Sequence, residues 1–123
     1  MLKSHDQHQN HTEYNSLNKS KSNIIVEIIE YLPNALLSKT IIKKSAGNIS
    51  VMSFDTGSEL IEKISPFDTY LQIIDGKTEL VIDKESTILK AGEGVVIPAN
   101  TPNHIKPNSG LKMILSIIKP GEE

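Results

Sequence analysis

Between residues 38 and 119 the chain is a series of short runs rich in Ile, Val, Leu and Thr, each closed by residues that bend the backbone. The runs cover 38–44, 48–55, 59–65, 69–74, 78–83, 86–90, 94–98, 104–107 and 112–119. Turn-forming residues separate them at Ala46-Gly47-Asn48, Thr56-Gly57, Asp75-Gly76, Asp83-Lys84-Glu85, Ala91-Gly92 and Asn108-Ser109-Gly110, where Gly, Asn and Asp tolerate the backbone angles of a reversal. Runs this short, bounded this way, are strands rather than helices. Their number and spacing predict an all-β sandwich or barrel. Asp75-Gly76 reads as a two-residue hairpin, since both positions of such a turn take positive φ.

A chain of 123 residues fits one domain, and at that size roughly two-thirds of the unfolded surface can be buried. Cysteine is absent, which removes disulfides, zinc–thiolate sites and thiol nucleophiles. The formal net charge is −2, whereas a nucleic-acid binder needs a concentrated basic surface. All 13 permanent side-chain cations are lysines. Without arginine there is no bidentate fork for phosphate or carboxylate, so a bound anion would meet lysine point charges or backbone amides. No stretch approaches the roughly 20 apolar residues of a membrane span, and residues 1–20 lack the apolar core of a secretory signal. The expectation is a cytoplasmic protein that engages neither nucleic acid nor membrane.

Residues 1–22 carry few apolar side chains, so burial cannot offset the entropy of ordering them. They are expected to form a flexible polar arm ahead of a barrel domain spanning 23–123. The arm holds His5, His8 and His11, a weak chelating stripe on a helix and chance histidines in a disordered tail. Residues 23–37 read as a short amphipathic helix. Ser22 or Asn23 can cap it, Ile24, Ile25, Ile28 and Ile29 build one face, and Pro33 ends it.

From Gly57 onward the residue order resembles the two sequence motifs of the cupin superfamily. The first motif runs Gly, five residues, His, one, His, three or four, Glu, six, Gly; here Gly57 leads to Lys63, Ser65, Thr69 and Gly76. The second runs Gly, five, Pro, one, Gly, two, His, three, Asn; here Gly92 leads to Pro98, Asn100, Asn103 and Pro107. Spacing survives in both, while all four metal-binding positions hold other residues. The segments Pro66-Phe67-Asp68 and Pro98-Ala99-Asn100-Thr101-Pro102 are similar to those of small one-domain bacterial cupins. The resemblance covers residues 38–119 and implies a cupin-type double-stranded β-helix, a jelly-roll barrel with the short N-terminal helix attached.

In the family register Lys63, Ser65, Thr69 and Asn103 point into the barrel, with Ile61, Leu71 and Ile73 beside them by strand alternation. An ammonium has no lone pair to give a metal, and hydroxyls and amides are poor ligands for first-row ions. No metal and no cofactor are expected. His104 lies one residue past the expected ligand position, facing the opposite way unless a bulge at Thr101-Pro102-Asn103 turns it inward. Lys63 has three readings: a cation replacing the metal and holding an anionic or carbonyl-bearing molecule, a desolvated amine acting as base or Schiff-base nucleophile, or a structural lysine that snorkels out or pairs with Glu59, Glu62 or Asp68. Ser65, Thr69 and Asn103 either orient a ligand or hold water and one another. Phe67 is a candidate lid over the mouth. Met52, Met113 and Phe54 read as core or dimer-face residues. No Ser-His-Asp set, phosphate-binding glycine loop or dinucleotide fingerprint is present.

Three functions follow. The first is a metal-independent cupin binding a small molecule through Lys63, Ser65, Phe67, Thr69, Asn103 and His104. The second is a small isomerase- or lyase-like enzyme using Lys63 as base, or a metal held by His104 and a carboxylate. The third is an interaction barrel without an active site. Ile24, Ile25, Ile28 and Ile29, the strand at 38–42 and the two-sided apolar run at 112–118 offer more apolar surface than one small barrel readily covers. A two-fold homodimer is therefore expected, with the N-terminal segment and edge strands packing across the partner.

Overall fold

The computed structural model describes residues 12–14, 17–55, 62–107 and 110–120. The histidines of the arm lie outside these residues. In chain order the strands are β1 (Thr12–Tyr14), β2 (Leu36–Lys44), β3 (Gly47–Phe54), β4 (Asp68–Asp75), β5 (Lys77–Ile82), β6 (Glu85–Lys90), β7 (Gly94–Ile97), β8 (Asn103–Pro107) and β9 (Leu111–Ile118). They form a six-stranded sheet in the order β1-β2-β3-β9-β4-β7 and a three-stranded sheet in the order β6-β5-β8. Every pairing is antiparallel except that of β1 with β2. The fold is all-β, as the turn spacing requires. No helix among the described residues is long and apolar enough to cross a membrane.

Strand alternation builds the core. On β4, Thr69, Leu71 and Ile73 are buried while Asp68 and Tyr70 are exposed, the period-two pattern of a sheet with one face inward. Phe54, Leu71, Ile73, Leu80, Leu89, Ile97, Ile105, Leu111, Met113 and Leu115 make one continuous cluster between the sheets. Strand β9 is apolar on both faces, as its sequence indicates: Met113 enters this core, and Ile114 packs into a second cluster of Ile29, Leu37 and Val51 on the outer face of the large sheet.

That second cluster corrects the helix expectation. Only a single 3-10 turn forms, at Ile25–Glu27, and the Ile24 cap position is extended with no side-chain cap bond. Four of the residues at 24–29 are isoleucine and a fifth is valine, and β-branched side chains are stiff at χ1 and crowd a helix. The segment is tied down by side chains of the sheet instead. Lys112 Nζ donates to the Val26 carbonyl at 2.6 Å and Ser53 Oγ donates to the Glu30 carbonyl at 2.8 Å. The Tyr31 hydroxyl donates to Asp75 Oδ2 at 2.7 Å; burial first, and the Asp75 carboxylate second, push the phenol's pKa above its usual value. Ile28 and Ile29 thus cover the chain's own sheet, so much of the apolar surface assigned to a partner is buried within the chain.

Three other expectations change. Thr12–Tyr14, in the segment read as an arm, pairs in parallel with Leu37, Ser38 and Lys39. Of the run 59–65, the described part is no strand; Lys63 makes one isolated bridge to Asn103. Asp75-Gly76 is not a hairpin: β4 pairs with β9 and β7, β5 with β6 and β8, and the chain switches sheets at Gly76. Two-residue hairpins form instead at Ser45-Ala46, joining Lys44 to its partner Gly47, and at Asp83-Lys84, both at positive φ (49° and 73°), joining Ile82 to its partner Glu85.

Gly76 is required at its corner. Its φ is +85°, and an added Cβ would collide with the Gly110 carbonyl oxygen. Gly76→Ala is expected to destabilise the protein by about 2–4 kcal/mol, a fall in melting temperature on the order of 10 °C. A thermal melt within 2–3 °C of the parent, on the order of 0.5 kcal/mol, would contradict the strain argument.

Candidate functional site

Between the two sheets, below the bridge from Lys63 to Asn103, lies a cavity of about 170 Å³. It brings together Lys63, Ser65, Thr69 and Asn103, the four residues placed there from the motif spacing. Its remaining walls are Leu71, Ile97, Pro98, Ile105, Met113, Leu115 and Ile117. These apolar walls follow from alternation: Thr69 and Leu71 on β4, Met113, Leu115 and Ile117 on β9, and Asn103 and Ile105 on β8 each stand two residues apart.

The backbone holds the polar rim rigidly. Lys63 and Asn103 exchange both backbone bonds, N–H of Lys63 to O of Asn103 at 2.9 Å and the reverse at 3.0 Å. Residues bridged in this way project their side chains to one side, which is why both reach the cavity. Asn100, at φ 62°, donates its N–H to the Ser65 carbonyl at 2.6 Å; asparagine tolerates that left-handed turn. The Ser65 hydroxyl accepts the Phe67 N–H at 3.1 Å, and Thr69 Oγ1 makes a long contact of 3.5 Å to the Phe67 carbonyl.

Lys63 is an exposed residue whose side chain lines the cavity. Burial of its ammonium lowers its pKa from 10.5, because a low-dielectric surrounding disfavours the charged form. Water still reaches much of the residue, which softens the shift. No carboxylate contributes. Glu62 is exposed, and Asp68 Oδ1 accepts the Ala99 N–H at 2.8 Å. Glu59 lies outside the described residues.

No protein-family model matches the sequence, and no curated protein does. Solved structures do match. A conserved protein of unknown function from Streptococcus pyogenes superposes with a TM-score of 0.81 at 26% identity, over 87% of this chain and 94% of that one. A cupin 2 conserved barrel domain protein from Leptotrichia buccalis is 30% identical with a TM-score of 0.72, over 76% of this chain and 46% of the other. The chain belongs to the cupin superfamily. The likeness in fold extends to a cupin superfamily protein from Desulfitobacterium hafniense, at 22% identity and a TM-score of 0.79 over 85% and 96% of the two chains. This chain spans less than half of the Leptotrichia protein and nearly the whole of the other two.

In this cupin the residues at the family's metal positions do not fit a metal. Lys63 offers no lone pair, and the hydroxyls of Ser65 and Thr69 and the amide of Asn103 are weak donors for a first-row ion. Among the described residues no three of His, Cys, Asp and Glu stand together as a possible ligand set. His104 does not join the cavity. Its neighbours Asn103 and Ile105 line it, so no bulge turns the imidazole inward, and it stands across from Val81 on β5 with Nδ1 buried and unpartnered. Phe67 does not lid the mouth either. It lines a separate groove with Pro66, Asp68, Ala99, Ile118, Lys119 and Pro120, where Lys119 Nζ stands 5.6 Å from the ring centroid. Its backbone, through Ser65 and Thr69, is what bears on the site.

Proposed function

We propose that this cupin binds a small anionic or carbonyl-bearing molecule in its barrel cavity without a metal, Lys63 supplying the positive charge. The carrying observation is an ammonium with no carboxylate partner among the described residues, lowered in pKa by burial alone, at a cavity whose walls are mostly apolar. Such a charge is partly desolvated where it stands, and an anion compensates it. Ser65, Thr69 and Asn103 supply orienting hydrogen bonds, while Leu71, Met113 and Leu115 receive the ligand's carbon atoms.

Size narrows the ligand. A dry cavity of about 150 Å³ takes up benzene, so 170 Å³ suits a body of similar size. Short-chain carboxylates are the probes of choice. At constant ionic strength, with chelator present and ligand at about 100 times Kd, bound ligand stabilises by about 2.7 kcal/mol, on the order of 8 °C in melting temperature. A panel of two- to five-carbon carboxylates giving no shift beyond that of chloride would oppose the proposal.

The lowered pKa also favours a second reading, Lys63 as an amine nucleophile. Its unprotonated nitrogen would attack a substrate carbonyl carbon, expel water and leave an imine. Borohydride would reduce that imine to a secondary amine, seen as a fixed mass increase on the Lys63 peptide; unmodified peptide after treatment with 2-oxo acids leaves binding alone.

We further propose that two copies of the chain associate through the part of the large sheet's outer face where Val96, Tyr70, Ile42 and Ile118 are exposed.

A further inference from the structure

We infer that the cavity selects ligands carrying a hydrogen-bond donor beside their anionic group, the 2-hydroxy acids over the 2-oxo acids, and that Asn103 makes this choice. The inference rests on the anion-binding reading above and names the class of ligand within it.

Asn103 is 5% exposed and its amide cannot turn over. Nδ2 donates to the Lys63 carbonyl at 3.3 Å and to the Thr101 carbonyl at 3.1 Å. Backbone carbonyls only accept, so the nitrogen must face them and the oxygen must face away. The bridge to Lys63 fixes the residue's own backbone, leaving the side chain little freedom to rearrange. Among the described residues no donor reaches Oδ1. Nor is Oδ1 sealed in, because His104 Nδ1 alone is both buried and unpartnered among them. Asn103 lines the cavity, and on this inference its fixed, free acceptor is turned toward the ligand.

The other polar groups complement it. The Ser65 hydroxyl oxygen accepts the Phe67 N–H while its proton remains free to donate, and the Lys63 ammonium only donates. The rim thus offers donors at Lys63 and Ser65 and an acceptor at Asn103. A carboxylate satisfies the first two and cannot satisfy the third. A ketone oxygen beside it would set one acceptor against another; a hydroxyl at the same carbon both donates to Oδ1 and keeps the carboxylate on Lys63. Leaving a buried polar group unpaired against the wrong analogue is a strong source of discrimination.

The test is calorimetric titration of the full chain with matched pairs: lactate against pyruvate, and 2-hydroxybutyrate against 2-oxobutyrate. The hydroxy acid is expected to bind roughly tenfold or more tightly in each pair. Equal affinity, or tighter binding of the oxo acids, overturns the inference and leaves anion binding standing. Binding of neither overturns the anion-binding reading and this inference with it. Asn103→Leu should erase the difference between the members of a pair while both still bind; persistence of the preference in that variant assigns it elsewhere. Should the variant not fold, the wild-type pairs decide.

Discussion

Lys63→Met is expected to abolish stabilisation by short carboxylates while leaving the melting temperature at neutral pH unchanged or raised. Methionine keeps the length and apolar stem of lysine and removes the ammonium. The parent folds with that charge partly desolvated and without a carboxylate partner among the described residues, so its removal takes no native ion pair away. A charge-assisted hydrogen bond to the ligand is lost at the same time, a fall in affinity of roughly ten- to a hundredfold. The pH dependence follows. Anion binding requires the protonated amine, so affinity is full below the Lys63 pKa and declines as pH rises through it, beginning below the ordinary value of 10.5. Stability moves the other way. With the folded-state pKa lowered, the unfolded chain binds more protons between that value and 10.5, and stability rises with pH across the window. Retained carboxylate stabilisation in the variant, or a loss of several degrees in its melting temperature, would show that Lys63 is a structural lysine.

Val96→Glu is expected to convert a dimer into a monomer without unfolding it. On the outer face of the large sheet Val96, Tyr70, Ser116, Ile49 and Ile42 stand directly opposite one another across five strands. Val96 is 59% exposed, and Tyr70, Ile42 and the neighbouring Ile118 are exposed as well. Ile28 and Ile29 cover the far end of this face, over Val51 and Ile114. The adjoining row runs Asp68, Ile118, Gly47, Lys44, acidic at one end and basic at the other. A two-fold axis along the strands would set Asp68 against the partner's Lys44, which makes the face self-complementary. Val96 ends its row on the edge strand β7, and a glutamate desolvated there costs on the order of 1–3 kcal/mol, enough to raise the dissociation constant roughly ten- to a hundredfold. Light scattering on the parent chain at micromolar concentration reads this directly: a monomer there removes the proposal, and a dimer surviving in the variant moves the interface elsewhere.

Strand character and cavity floor were legible because both depend on period two. Once Gly57, Gly76, Gly92 and Pro98 are set in the family spacing, alternation alone places Thr69, Leu71 and Asn103 inward. The same alternation sends His104 outward. Failures came where tertiary contacts override local signals. Residues 23–37 have a helical apolar face, yet the carbonyls of Val26 and Glu30 are taken by Lys112 and Ser53, partners more than twenty residues away in sequence. Asp75-Gly76 carries hairpin chemistry, but β4 and β5 belong to different sheets, and the glycine serves a corner pressed against Gly110. The free Oδ1 of Asn103 could not be read at all, since it depends on two backbone carbonyls that only the folded bridge brings near.

The account stands on a cavity that holds an anion with an amine in place of a metal. Calorimetric titration of lactate into chelator-treated protein tests this most directly. Saturable binding of one ligand per chain is expected, unchanged when zinc or iron is restored and weakened as pH rises through the Lys63 pKa. Binding that appears only after a transition metal is returned would contradict it.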